Sequence, residues 1–157
     1  MQTTTPPVAL ITGAASGMGQ STVALFLERG YTVVALDVAW PETDDAGGAL
    51  RRIVADVRSR DAIAAAIDGA LGAHEAIDVV ANIAGVYPPT TLATYDDETY
   101  RRIFDINVLG VLNVIAAARP RLGRGASVVN FASVDAFTVS PGQLLYGASK
   151  AAVVMLT

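Results

Sequence analysis

An apolar run, a glycine-rich turn and a helical segment follow one another in the first thirty residues, and this order constrains the fold more than any other feature. Pro7-Val8-Ala9-Leu10-Ile11 reads as a short buried strand. Thr12-Gly13-Ala14-Ala15-Ser16-Gly17-Met18-Gly19 follows, then Ser21 to Arg29 with helical character, and Gly30 stands where a helix would end. Strand, glycine turn and helix form the context that a dinucleotide-binding fingerprint requires. Gly13 permits the tight turn, Gly17 lets a pyrophosphate approach the backbone, and Gly19 allows close packing of helix on sheet. The helix start then offers free N–H groups and a positive dipole end to phosphates. Taken alone, the stretch is also compatible with an ordinary strand-to-helix turn of an α/β protein.

Tyr146-Gly147-Ala148-Ser149-Lys150 contains the only lysine, the other ten basic residues being arginines. A tyrosine with a pKa of about 10 is a poor acid or base near neutral pH. A cation one helical turn away favours the phenolate and lowers that pKa, and positions i and i+4 share a helix face. The pair by itself would also suit a solvated helix surface.

The turn is spaced G-x-x-x-G-x-G rather than G-x-G-x-x-G. With Asp37, Asp56-Val57, Asn82-Ile83-Ala84-Gly85, Asn107, Ser133, Tyr146 and Lys150, it resembles the short-chain dehydrogenase/reductase family, in the branch beginning T-G-x-x-x-G-x-G. The matching residues span nearly the whole chain. The resemblance implies a doubly wound α/β sheet of Rossmann type and NAD-linked interconversion of a secondary alcohol and a ketone. It places Ser16 and Met18 with the three glycines on the cofactor, and Asp56-Val57 on the adenine ring. Asn82, Ala84 and Gly85 form the floor beneath the cofactor; Ile83 stands where relatives carry a second Asn. The implied catalytic set is Asn107, Ser133, Tyr146 and Lys150, with Tyr146 and Lys150 also contacting the cofactor. In the family the Asn interrupts its helix and holds a water that links the lysine to solvent.

Alternating elements support the same architecture. Strands are expected at Val8–Ile11, Thr32–Leu36, Arg52–Ala55, Asp78–Asn82 and Ala126–Phe131, with helices at Gly17–Arg29, Asp61–Leu71, Asp97–Ala118 and from Tyr146 to the end. Polar, glycine-bearing Val38 to Leu50 reads as a loop. Such alternation gives a parallel sheet with helices on both faces and right-handed crossovers, in the order 3-2-1-4-5.

The 157 residues suggest one NAD-binding domain, 52% hydrophobic and 17% charged. A net charge of −4 argues against nucleic acid or an anionic membrane as main partner. No cysteine and no His cluster suggests a disulfide or a metal site. Neither a signal peptide nor a run of apolar residues long enough to span a membrane is evident, so the expected location is the cytoplasm. The chain stops seven residues after Lys150, inside an apolar helical pattern. The expectation is a domain incomplete at its C-terminus, lacking the last strands of the family and part of the substrate pocket. The fifth strand would then be a bare edge, predisposing the chain to homo-oligomerise or to be poorly soluble.

Individual residues sharpen this reading. Asp37 ends the second strand, 18 residues past Gly19, where a carboxylate accepts from ribose hydroxyls and repels a 2′-phosphate. No Arg or Lys lies in the glycine turn or beside Asp37, which favours NAD over NADP. Asp56 is equally suited to a turn or a helix cap, and Asn82 to a turn. Ile103, Asn107, Val111 and Ile115 fall on one helix stripe, so the Asn107 amide must find partners, whereas Asn113 reads as a polar residue facing solvent. Ser133 ends a strand and can donate to a substrate carbonyl; Ser140 and Ser149 have the wrong spacing to Tyr146. The only histidine, His74, is expected at the end of the second crossover helix, far from these strand ends, which removes a serine-hydrolase triad. Val86 to Thr91, Asp135 and Gln143 should border the pocket of a small alcohol or ketone. The alternatives are a catalytically inactive dinucleotide-binding fragment and, third, a scaffold protein.

Overall fold

A computed structural model of the chain describes residues 5–41, 48–72 and 75–157. His74 and the centre of the expected Val38–Leu50 loop lie outside the described residues. Five parallel strands form one sheet: β1 (Val8–Thr12), β2 (Thr32–Asp37), β3 (Leu50–Val54), β4 (Ile77–Asn82) and β5 (Leu122–Asn130), in the order 3-2-1-4-5. This is the expected doubly wound topology. The helices are α1 (Gly17–Glu28), α2 (Arg60–Ala70), α3 (Asp97–Phe104), α4 (Gly110–Ala118) and α5 (Leu144–Leu156).

Strand pleating sends alternate side chains to opposite faces, which splits the core in two. Val8, Leu10, Val34 and Leu36 join Ile63 and Ile67 of α2 and Val114 of α4 on one face. Ala9, Ile11, Val33 and Ala35 meet Val23 of α1 on the other. β1 is buried along its whole length, as expected of a central parallel strand covered on both sides. Ile63 and Ile67 are almost fully buried, each such side chain contributing about 1.5–3 kcal/mol.

Several boundaries differ from expectation. β3 begins at Leu50 and ends at Val54, two residues early at its start, because Val33 to Asp37 set the register for the edge strand. β5 begins at Leu122 rather than Ala126. Leu122 pairs with Ile77, a register shift follows, and Ser127 to Asn130 pair with Val79 to Asn82. Gly125 at φ +85° supplies the irregular backbone between the two stretches. Helix α5 starts two residues before Tyr146.

The expected helix Asp97–Ala118 is continuous but not uniform: Asp105–Leu109 forms a π turn between α3 and α4. Contrary to the expectation of no membrane-length apolar segment, Asp97–Arg121 is long and apolar enough to cross a bilayer by length and composition. Polar residues such as Arg101, Asp105 and Asn113 interrupt it, so it contains no unbroken apolar run of that length. Its apolarity has a place in the fold, since Val111, Val114, Ala117 and Ala118 are buried.

Candidate functional site

The glycine turn leaves β1 at its carboxyl end, where Gly13 has φ +65° and a side chain would meet the Ala84 backbone at 2.8 Å. A Cβ on Gly19 would stand 1.9 Å from the Gly13 carbonyl oxygen, so α1 starts pressed against the turn. Gly17 opens the helix at φ +50°, with nothing within 4 Å of where its Cβ would project. That open side lets a ligand reach the backbone. Ser16 makes no side-chain cap bond, and the first turn of α1 holds no acidic residue. Its free N–H groups and positive dipole end therefore remain available to an anion.

Two side chains lock this turn to its neighbours. Thr12 Oγ1 accepts from the Ile83 and Ala84 N–H groups at 3.1 and 3.2 Å, joining the ends of β1 and β4. Asp37 Oδ2 accepts from Ala15 N–H at 2.9 Å, and Oδ1 from Val38 N–H at 2.7 Å. A cleft of about 730 Å³ runs past these groups. Gly13, Ser16, Gly17, Met18, Gly19, Asp37, Asp56, Val57, Ala84 and Gly85 all line it, together with Val86 and Tyr87 at its far end. A bare helix start, a carboxylate at the end of β2 and a roomy channel between them fit a dinucleotide.

Asp56 lies on the cleft and not at a helix cap, which Ser59 provides by accepting from Ala62 N–H. Arg58 Nη2 donates to Asp56 Oδ2 at 2.6 Å, and this guanidinium holds the carboxyl below its usual range. Asn113 departs from its surface reading. It is half-buried, and Nδ2 donates to the Val57 and Arg58 carbonyls at 3.0 and 3.1 Å, tethering the cleft wall to α4. Asn82 also differs from its neighbours: it does not line the cleft, and its Nδ2 donates to Asn130 Oδ1 at 2.8 Å across β4 and β5. Ile83 is buried against the α1-side core, so its departure from the family pattern leaves no exposed apolar group.

The second half of the site gathers at the start of α5. Lys150 is 6% exposed, and Nζ donates to the Phe131 carbonyl at 2.6 Å. The same Nζ lies 5.8 Å from the centre of the Tyr146 ring. Burial pushes the Lys150 ammonium below its ordinary pKa. Gly85 connects the two halves: a Cβ there would stand 3.7 Å from Lys150 Nζ and 3.3 Å from Asn107 Oδ1. The Tyr87 ring, at the end of the cleft, meets Tyr146 edge-on with centroids 6.0 Å apart.

Asn107 sits in the π turn, fully buried, and its amide is matched on all sides. Oδ1 accepts from Val86 N–H at 2.8 Å; Nδ2 donates to the Val86 carbonyl at 2.9 Å and to Ser149 Oγ at 3.0 Å. Ser149 Oγ donates in turn to the Tyr146 carbonyl at 2.7 Å. Ser133 follows β5 and starts a short 3₁₀ turn, Val134–Ala136, where its Oγ accepts from Asp135 N–H at 3.2 Å. Asp135 Oδ1 accepts a short hydrogen bond from Ser140 Oγ. Ser140 and Ser149, set aside on spacing to Tyr146, thus both bond within the site. Ser140 acts through Asp135, five residues away, and Ser149 through Asn107, 42 residues away, so spacing to Tyr146 does not reveal either. Among the described residues no group of three or more His, Cys, Asp or Glu could hold a metal.

Residues 7–157 match the family model for short chain dehydrogenases. The chain is 35% identical to the 3-oxoacyl-[acyl-carrier-protein] reductase FabG of Thermotoga maritima, over 96% of this chain and 65% of that protein. It is 33% identical to the 3-hydroxyacyl-CoA dehydrogenase type-2 of Rattus norvegicus, over 96% of this chain and 64% of that protein. A solved short chain dehydrogenase/reductase from Burkholderia phymatum in complex with NAD superposes with a TM-score of 0.84 at 30% identity, over 96% of this chain and 57% of that one. A ligand-free aldohexose dehydrogenase of Thermoplasma acidophilum gives 0.86 at 29% identity, over 97% and 59%. The chain spans just under two thirds of the curated relatives it matches. Glycine turn, strand order and the Tyr146/Lys150 helix thus agree with a match along almost every residue, and the chain belongs to the short-chain dehydrogenase family.

Proposed function

We propose that this chain is the NAD-binding and catalytic part of an oxidoreductase that interconverts a secondary alcohol and a ketone. The observation that carries this reading is Lys150, buried where the cleft floor at Gly85 meets the Tyr146 helix. A buried ammonium is costly unless its N–H groups are matched, and the Phe131 carbonyl is one acceptor, leaving others for a ligand. Bound NAD supplies the hydride acceptor or, reduced, the hydride donor.

The residues then divide the work. The turn from Gly13 to Gly19, with Ser16 and Met18, would hold the pyrophosphate. Asp37 would accept from the adenosine ribose hydroxyls and disfavour a 2′-phosphate, which selects NAD over NADP. Asp56 and Val57 would border the adenine, and Ala84 and Gly85 the floor. Ser133 would hold the substrate oxygen while Tyr146 takes or gives the proton there. General acid–base help of this kind contributes roughly 10²–10⁴-fold. Lys150 would hold its cation beside Tyr146, bind ribose hydroxyls, and pass the proton on towards Asn107; its lowered pKa eases that transfer.

The test is a titration with NADH and NADPH, followed through the emission of the only tryptophan, and an NAD-linked assay over secondary alcohols. Trp40 lies three residues past Asp37 and donates Nε1–H to the Ile53 carbonyl, close enough to report on the cleft wall. NADH binding with turnover supports the reading. NADH binding without turnover supports a non-catalytic dinucleotide module, and neither would overturn both.

A further inference from the structure

We propose that Asp135 selects the substrate: it accepts a hydrogen bond from a second hydroxyl on the carbon next to the reacting one. The preferred substrate class is then a neutral vicinal diol or its hydroxy-ketone, not a simple alcohol and not a hydroxy acid. This rests on the placing of Ser133 at the substrate oxygen.

Geometry puts a carboxylate at that point. Asp135 Oδ2 lies 3.4 Å from Ser133 Oγ. Ser133 itself is bracketed by two ties to α5. Two residues earlier, the Phe131 carbonyl accepts from Lys150 Nζ. Two residues later, the Asp135 carbonyl lies 2.8 Å from where a Cβ on Gly147 would be, beside Tyr146. The carboxylate is therefore held beside Ser133, next to where the reacting oxygen would lie. Gly147 leaves room for that approach.

Chemistry says what it can take. A carboxylate offers about four acceptor sites and no donor. Ser140 Oγ fills one through Oδ1, and the Ser133 hydroxyl approaches Oδ2 only at 3.4 Å. An O–H···O bond is ordinarily about 2.7–2.8 Å, so the Ser133 contact is weak and a substrate hydroxyl can replace it. The freed Ser133 proton is then available to the reacting oxygen. Ser133 Oγ and Asp135 Oδ2 are 3.4 Å apart, close enough for neighbouring oxygens on adjacent carbons to reach one each. Among the described residues the ion pairs join Arg51 to Glu75, Arg58 to Asp56 and Arg121 to Asp68, and none neutralises Asp135. A substrate carboxylate would meet a like charge at Asp135, while a hydroxyl would meet an acceptor.

Three small probes separate these cases: butane-2,3-diol, butan-2-ol, which lacks the second hydroxyl, and lactate, which replaces it with a carboxylate. Binding to the chain in the presence of NAD is read by saturation-transfer NMR, so the result does not depend on turnover. The diol should bind about tenfold tighter than butan-2-ol, the range of one charge-assisted hydrogen bond, and lactate weakest. Asp135→Asn should shrink the diol preference and strengthen lactate, with butan-2-ol, NADH affinity and melting temperature unchanged. Equal binding of diol and butan-2-ol to the wild type, no measurable diol binding, or lactate binding tightest would each overturn the proposal. So would an Asp135→Asn variant that weakens all three probes alike. Loss of NADH binding with the diol preference retained would instead remove the cofactor reading and leave this one standing.

Discussion

Asn107 Nδ2 and Ser149 Oγ meet at 3.0 Å between the π turn and α5, although 42 residues separate them. Both are fully buried. Through Ser149 the amide reaches the Tyr146 carbonyl, and through its other bonds it grips Val86 at the cleft. One amide thus fixes the tyrosine helix relative to the cleft wall.

Ser149→Ala should leave one Asn107 N–H buried without a partner, a loss of about 1–3 kcal/mol. Denaturant unfolding would measure it. A change within about 0.5 kcal/mol, typical of an ordinary surface substitution, would mean that the contact fixes nothing.

Tyr146→Phe keeps the ring against Tyr87 and removes only the hydroxyl. Turnover in an active parent should fall by at least about 10²-fold, with NADH affinity almost unchanged. Retention of activity within about tenfold of the parent would contradict the general acid–base role.

The carboxylate of Asp37 should make NADH bind more tightly than NADPH, as calorimetry can show. Asp37→Asn removes the charge and should narrow the preference by about tenfold. Equal affinities in the wild type would sink the assignment of specificity to Asp37.

Acid stability has its own handle, remote from the cleft. Arg51 grips Glu75 with two bonds of 2.8 and 2.9 Å, and this holds the Glu75 carboxyl at about 2, down from 4.5. A depressed carboxyl stabilises the fold above its unfolded pKa, and that gain disappears as pH falls through the folded value. Glu75→Gln should therefore cost up to about 1 kcal/mol at neutral pH and almost nothing near pH 2. An equal cost at both ends of that range would mean that the pair acts by packing, not charge.

Apolar exposure points to self-association. Among the described residues β5 is one edge of the sheet and exposes Val129, while Leu109, Leu112, Met155 and Leu156 are exposed on α5 and the long helical segment. Light scattering should report a homo-oligomer or concentration-dependent aggregation. A monodisperse monomer at high concentration would contradict this.

The amino-acid sequence by itself determined the alternating elements, the sheet order, the glycine turn and the spacing of Tyr146 to Lys150. Each of these is a local matter of period, backbone freedom or helix geometry, so neighbours in the chain suffice to read it. Only the tertiary structure decided which side chains meet. Asn113 anchors the Val57–Arg58 wall, Asn82 turns to Asn130, and Ser149 bonds to Asn107, all across distances the local pattern does not encode. The strand limits of β3 and β5 were likewise set by pairing with β2 and β4 rather than by propensity. Asn107 shows both sides at once. The apolar stripe announced that its amide needs partners, because an unmatched buried amide is costly. Which groups supply them, Val86 and Ser149, depended on a π turn and a packed helix that exist only once the chain has folded.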